Sequence, residues 1–120
     1  QSKEFEHIKF TFTGIEKWKP YIEYLNDNLI KYWNNELTII ESDIMDQSYH
    51  SYNLIWFYQP FRQSDKAVNF YKKIISEAQP GAIIFGLSQY QVMTYGDVEL
   101  IDMFKTLKQQ NLDDLFCFLK

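Results

Sequence analysis

The sequence predicts an α+β fold: a single domain over residues 1–120, with about three helices against an antiparallel or mixed sheet. Three observations carry this expectation. Ser51–Gln59 (SYNLIWFYQ) contains the unbroken apolar run Leu54, Ile55, Trp56, Phe57 and Tyr58, closed by Pro60, which reads as a central strand covered on both faces. Other segments repeat their apolar residues at helical spacing. Strong turn signals, Pro80-Gly81 and Gly96-Asp97, separate the elements. The resulting order is β-α-β-β-α-β-(β)-α, and its first six elements match a ferredoxin-like split βαβ pattern.

Glu6–Thr13 alternates, with Ile8, Phe10 and Phe12 on one side and His7, Lys9 and Thr11 on the other, as a half-buried strand does. Thr13-Gly14 is expected to end it, and Thr13 with Glu16 has capping-box spacing. A turn through Trp18 leads to a helix starting near Pro20, with Ile22, Leu25, Leu29 and Trp33 as its buried stripe and Asn34-Asn35 as its stop. Leu37–Ile40 is a second strand, with an extension to Ile44-Met45 in reach, and polar residues lead from it to the central strand.

Ser64 is the expected N-cap of a second helix, whose inner face is Ala67, Val68, Tyr71, Ile74, Ile75 and Ala78. Ala82–Leu87 is a short strand in which Gly86 marks a bulge or a close approach of backbone. Tyr90–Tyr95 alternates and pairs with it as a hairpin in this reading. Asp97 caps a third helix with Leu100, Ile101, Phe104 and Leu107 inward. Leu115–Leu119 fits either an edge strand or one last helical turn.

Composition narrows the function. Net charge is −4 and the one arginine is Arg62, so a basic stripe for direct nucleic-acid binding is not expected. No run approaches the ~20 apolar residues of a membrane span. The first residues, QSKEFEHIKF, carry charge where a signal peptide is apolar, so a cytoplasmic location is expected. The 18% aromatic share exceeds the needs of a core, which puts some tyrosines at the surface.

Chemical motifs are sparse. Cys117 lies between Phe116 and Phe118 and reads as a buried, inert thiol. Glu41, Asp43, Asp46 and His50 hold potential ligand atoms, but their spacing matches no EF-hand or zinc motif, so no metal or other cofactor is expected. GxGxxG, GxxxxGK and GxSxG are all missing, and the chain is read as non-enzymatic.

Surface recognition remains. Tyr32–Phe61 contains no Lys or Arg but has Glu36, Glu41, Asp43 and Asp46, with Tyr49 and Tyr52 alongside. Ile74–Phe104 is a second base-free interval, with Glu77, Asp97, Glu99 and Asp102 and with Tyr90 and Tyr95. Carboxylates with interspersed tyrosines suit a basic protein partner. The expected function is therefore an inhibitor docking on a partner such as a nuclease toxin through Glu41, Asp43, Asp46, Tyr49, Tyr52, Tyr90, Tyr95 and Asp97. In composition, though not in any motif, the chain is similar to immunity proteins that neutralise such toxins. The alternative is a small-molecule-binding or catalytic domain with a pocket lined by Trp56, Tyr58, Tyr90 and Tyr95 and with Arg62 or His50 as polar contact. Self-association into a homodimer through an edge strand such as Tyr90–Tyr95 is a further possibility.

Overall fold

The computed structural model describes residues 11–28, 36–112 and 115–120. The fold is α+β, and the chain divides into two compact units, Gln1–Gln47 and Ser48–Lys120.

In the N-terminal unit, β1 (Thr11–Glu16) and β2 (Glu36–Glu41) pair in parallel, and α1 (Lys19–Asn28) follows β1. The strand does not end at Gly14 as expected. Gly14 pairs with Ile39, and a β-carbon there would lie 2.9 Å from the Ile39 Cδ1 atom, so the glycine serves close strand approach rather than a turn. Glu16 consequently plays a different part from the capping box. Its carboxylate accepts from the backbone N–H groups of Lys17 and Trp18, where the chain enters α1. Of the expected stripe, Ile22 is buried and Leu25 half-buried, while Leu29, Trp33 and the Asn34-Asn35 stop lie outside the described residues. Trp18, Tyr21 and Tyr24 instead stack along an exposed side of α1, with successive ring centroids 6.5 and 6.3 Å apart. Ile44–Asp46 is a 3-10 turn and not an extension of β2, because the Asp43 carboxylate accepts from the Met45 N–H and bends the chain.

The C-terminal unit is built on a four-stranded mixed sheet. Its strands are β3 (Leu54–Trp56), β4 (Ile83–Phe85), β5 (Lys108–Leu112) and β6 (Leu115–Leu119), in the spatial order β3-β4-β6-β5. β3 and β4 are parallel, joined through α2 (Ser64–Glu77), and β6 runs antiparallel to both of its neighbours. The ferredoxin-like pattern is not realised: β1 and β2 form a sheet of their own, and β3 pairs with β4 rather than with β2.

The run around Trp56 forms an edge strand covered on one face. Ile55 is buried, whereas its neighbours Leu54 and Trp56, on the opposite face by alternation, are 53% and 71% exposed. The C-terminal run resolves as a strand, and it lies inside the sheet rather than at its edge. β5 went unpredicted because KQQNL has no apolar period. It is an edge strand held by backbone pairing to β6.

Helix α2 provides the core. Ala67, Val68, Tyr71, Ile74 and Ile75 are buried on it, as the spacing predicts, with Ala78 buried just beyond its end. Its N-cap is Gln63, one residue before the expected Ser64, and makes no side-chain cap bond. Phe70, outside the predicted stripe, is also buried and meets the edges of Phe57, Phe61 and Tyr49, with centroids 5.0, 5.9 and 6.3 Å away. Asp97 caps α4 (Val98–Phe104) by accepting from the Leu100 N–H, as expected, and Phe104 packs edge-on against Phe118 of β6 at 4.8 Å.

Tyr90–Tyr95 is helical, so the expected hairpin is absent. The segment forms α3 (Gln89–Tyr95), started by Ser88, whose hydroxyl accepts from the Gln91 N–H, and ended by Gly96 in the left-handed region at φ +69°. One turn of helix buries Val92 and leaves Tyr90 and Met93 exposed, a split that strict alternation does not foresee.

Gly86 fulfils the close-approach reading. Its φ is +118°, and a β-carbon there would sit 2.3 Å from the Phe57 carbonyl oxygen. Gly81, at φ +88°, has open space around it. Gly81→Ala is therefore expected to cost about 1 kcal/mol from backbone strain alone, and Gly86→Ala more than about 2 kcal/mol from strain plus steric displacement of Phe57. Urea denaturation of the two variants checks the ranking; equal losses would contradict it.

Candidate functional site

Parallel strands joined through a helix place their carboxyl ends, and the loops that leave them, on one side of the sheet, where ligands of open α/β sheets bind. In the C-terminal unit that side carries a cleft of about 430 Å³. The segment leaving β3 supplies Tyr58, Gln59, Phe61 and Arg62; α2 supplies Tyr71, and α3, which follows β4, supplies Gln91 and Tyr95. This size suits a small molecule.

The cleft is held by identifiable contacts. Phe57 packs edge-on to Phe70 and lies 5.8 Å from the Tyr71 ring, which fixes where the chain leaves β3. Gln59 adopts φ +39°, a conformation uncommon for a residue with a side chain and one that concentrates at ligand sites. Tyr71 is buried, and its hydroxyl donates to Gln91 Oε1 at 2.8 Å. Burial, reinforced by the neighbouring Tyr95 phenol, pushes the Tyr71 hydroxyl up to about 12. Arg62 is exposed and has no carboxylate partner among the described residues. No acidic residue lines the cleft among the described residues, and Arg62 gives it a positive field there.

The residues expected to form an acidic docking surface are distributed differently. Glu41, Asp43 and Asp46 belong to the N-terminal unit; the remaining five belong to the C-terminal one. Glu41 and Asp46 are exposed, while Asp43 caps the 3-10 turn and lies 3.8 Å from Lys17. Tyr49 is not a surface anchor: it is 5% exposed, its ring meets Phe70, and its N–H donates to Glu77. Tyr52 is half-buried with its ring 6.4 Å from that of Tyr49, and its carbonyl accepts from Gln79. Tyr90 is 80% exposed, and Tyr95 is half-buried in the cleft.

Cations from α2 answer the second acidic interval. Lys72 contacts Asp97 at 3.0 Å and Glu99 at 3.2 Å, and Lys73 contacts Glu77 at 2.6 Å. The Leu100 N–H and then Lys72 hold Asp97 below the usual carboxylate range, and the Asp97 contact raises Lys72. Burial pushes Glu77 up, but Lys73 and the Tyr49 N–H together outweigh it and leave Glu77 lowered. In sequence these acids lie in a base-free interval because their partners, Lys72 and Lys73, fall just before it.

Of the pocket residues named from sequence, Tyr58, Tyr95 and Arg62 line the cleft, and Trp56, Tyr90 and His50 do not. Gln59, Phe61, Tyr71 and Gln91 went unrecognised. The Ser88-x-x-Gln91 spacing, a capping-box signature, was the available signal that Gln91 sits on a helix beside Tyr71. Among the described residues, no group of three or more His, Cys, Asp or Glu side chains is placed to hold a metal ion, and no helix is long and apolar enough to cross a membrane.

No protein-family model matches the chain, and no curated protein matches it. It is similar to a solved structure described as a "putative methyltransferase from Thermoplasma acidophilum", with 18% identity and a TM-score of 0.49 over 90% of this chain. The match spans 54% of that protein's chain. A likeness this distant says nothing of activity.

The raised Tyr71 hydroxyl has a consequence for stability. The folded state holds this proton more tightly than the unfolded chain, so the contribution is present in full below about pH 10 and is lost as pH rises through about 12. Urea midpoints measured between about pH 9 and about pH 11.5 should fall more steeply for the wild type than for Tyr71→Phe. Parallel curves would contradict the assignment.

Proposed function

We propose that the C-terminal unit is a small-molecule-binding module, with the ligand in the cleft at the carboxyl ends of β3 and β4 and Arg62 as its chief polar contact. The observation that carries this reading is Arg62 itself, the chain's one arginine, which among the described residues has no carboxylate partner and shares its cleft with no acid. A cation left unpaired beside aromatic walls recognises an anionic or electron-rich ligand. The positive φ of Gln59 supports the same place, since backbone strain tends to persist where a site uses it.

A second reading keeps the inhibitor function and a basic protein partner. It is favoured by Tyr58 and Tyr90, 78% and 80% exposed, with Glu99 and Asp102 exposed on α4. It has fewer uncommitted charges to work with, because Asp97, Glu99 and Glu77 already face lysines.

Screening a library of charged and neutral fragments by two-dimensional amide NMR tests the first reading. Amide shifts on binding should cluster at Gln59, Arg62, Gln91 and Tyr95, and Arg62→Ala should abolish them for anionic fragments. Shifts confined to α4 and the Tyr90 side, or shifts indifferent to Arg62→Ala, would contradict it.

A further inference from the structure

The hydrogen bonding behind the cleft wall specifies the ligand more closely, granted that the cleft is the binding site. Tyr71 has one hydroxyl proton and gives it to Gln91 Oε1. That bond leaves the Gln91 oxygen occupied. The amide nitrogen of Gln91 keeps two N–H donors with no partner among the described residues, and this residue lines the cleft.

The cleft therefore carries a surplus of donors: the five N–H groups of Arg62 and the two of the Gln91 amide. The complementary group is an acceptor-only oxyanion. A guanidinium fork matches the two oxygens of a carboxylate, and one full positive charge balances one negative charge rather than the two of a phosphate monoester. Tyr58, Phe61 and Tyr95 bring flat rings to the same cleft, and these offer stacking faces to a planar body. We infer that the ligand is a planar monocarboxylate, an aryl or conjugated acid, with its carboxylate on the Arg62 fork, a hydrogen bond from Gln91 Nε2, and its ring against the tyrosines. Tyr71 acts as a positioning residue that holds the Gln91 amide by its oxygen and leaves the nitrogen to the ligand.

Isothermal titration with benzoate, benzamide and phenyl phosphate tests this on the full chain. Benzoate should bind at least about tenfold more tightly than benzamide, the effect of one charge-assisted hydrogen-bonded contact, and more tightly than phenyl phosphate. Arg62→Lys keeps the charge but loses the fork and should weaken benzoate about tenfold. Gln91→Glu places a carboxylate against the ligand's own and should weaken benzoate by about tenfold or more while leaving benzamide within about twofold. A purely structural role for Gln91 would change both alike. Because Gln91 is half-buried on a short helix, circular dichroism of the variant confirms that it is folded.

Benzamide binding as tightly as benzoate, or phenyl phosphate binding more tightly, overturns the carboxylate inference and leaves the cleft reading standing. Failure of all three probes while neutral fragments still shift the cleft amides does the same. Failure of all three with the cleft amides unmoved by any fragment overturns both.

Discussion

The close approach of Gly86 to the Phe57 carbonyl is the contact on which the C-terminal unit depends. β3 and β4 pair over only three positions, Leu54 with Ile83 through Trp56 with Phe85, and then their exits are pressed together with no room for a side chain at Gly86. The Phe57 N–H donates to the Phe85 carbonyl and extends the pairing by one more bond. Held there, the Phe57 ring packs against Phe70 and Tyr71 of α2, and the chain leaves the sheet in the direction that brings Tyr58, Gln59 and Arg62 to the cleft. One backbone contact thus links a short sheet, the buried face of α2 and the arginine.

Charge is arranged around the same helix. Two of the three lysines of α2, Lys72 and Lys73, are turned to Asp97 and Glu99 at the start of α4 and to Glu77, so much of the negative charge of this unit is balanced within it. Arg62 lies just before α2 and has no such partner among the described residues. Lys72 and Lys73 serve the fold, whereas Arg62 is left to the cleft that it lines. Exposed ion pairs contribute little stability, so the greater consequence is that Asp97 and Glu99 are less available to a basic partner than their sequence suggests.

Much of this was legible in the sequence wherever local chemistry and tertiary packing agree. The apolar stripe of α2, the Asp97 cap, the Pro80-Gly81 turn and the special role of Gly86 were each readable because one residue type serves one purpose there. Elsewhere a pattern served two outcomes. QYQVMTY alternates like a strand, yet also places Val92 inward on one helical turn, and the Ser88 hydroxyl decides for the helix. The SYNLIWFYQ run looked doubly covered, but β3 is an edge strand and its odd-numbered core residue Ile55 alone is buried among its three. Lys108–Leu112 pairs through its backbone and needs no apolar period. The candidate site was half readable: Arg62, Tyr58 and Tyr95 stood out by type, whereas Tyr71 and Gln91 acquire their part only when α2 and α3 meet. Tyr49 shows the converse, since nothing local separates a buried tyrosine from an exposed one.

Because Arg62 is the chain's one arginine, its guanidinium can be watched without ambiguity. The most direct measurement is the nitrogen-15 and proton shift of the Arg62 Nε–H group during titration with benzoate and then with benzamide. A downfield, saturable proton shift with benzoate and little with benzamide is expected if a carboxylate seats on the fork. An Nε–H resonance unmoved by benzoate, while other residues respond, would show that the arginine does not hold the ligand.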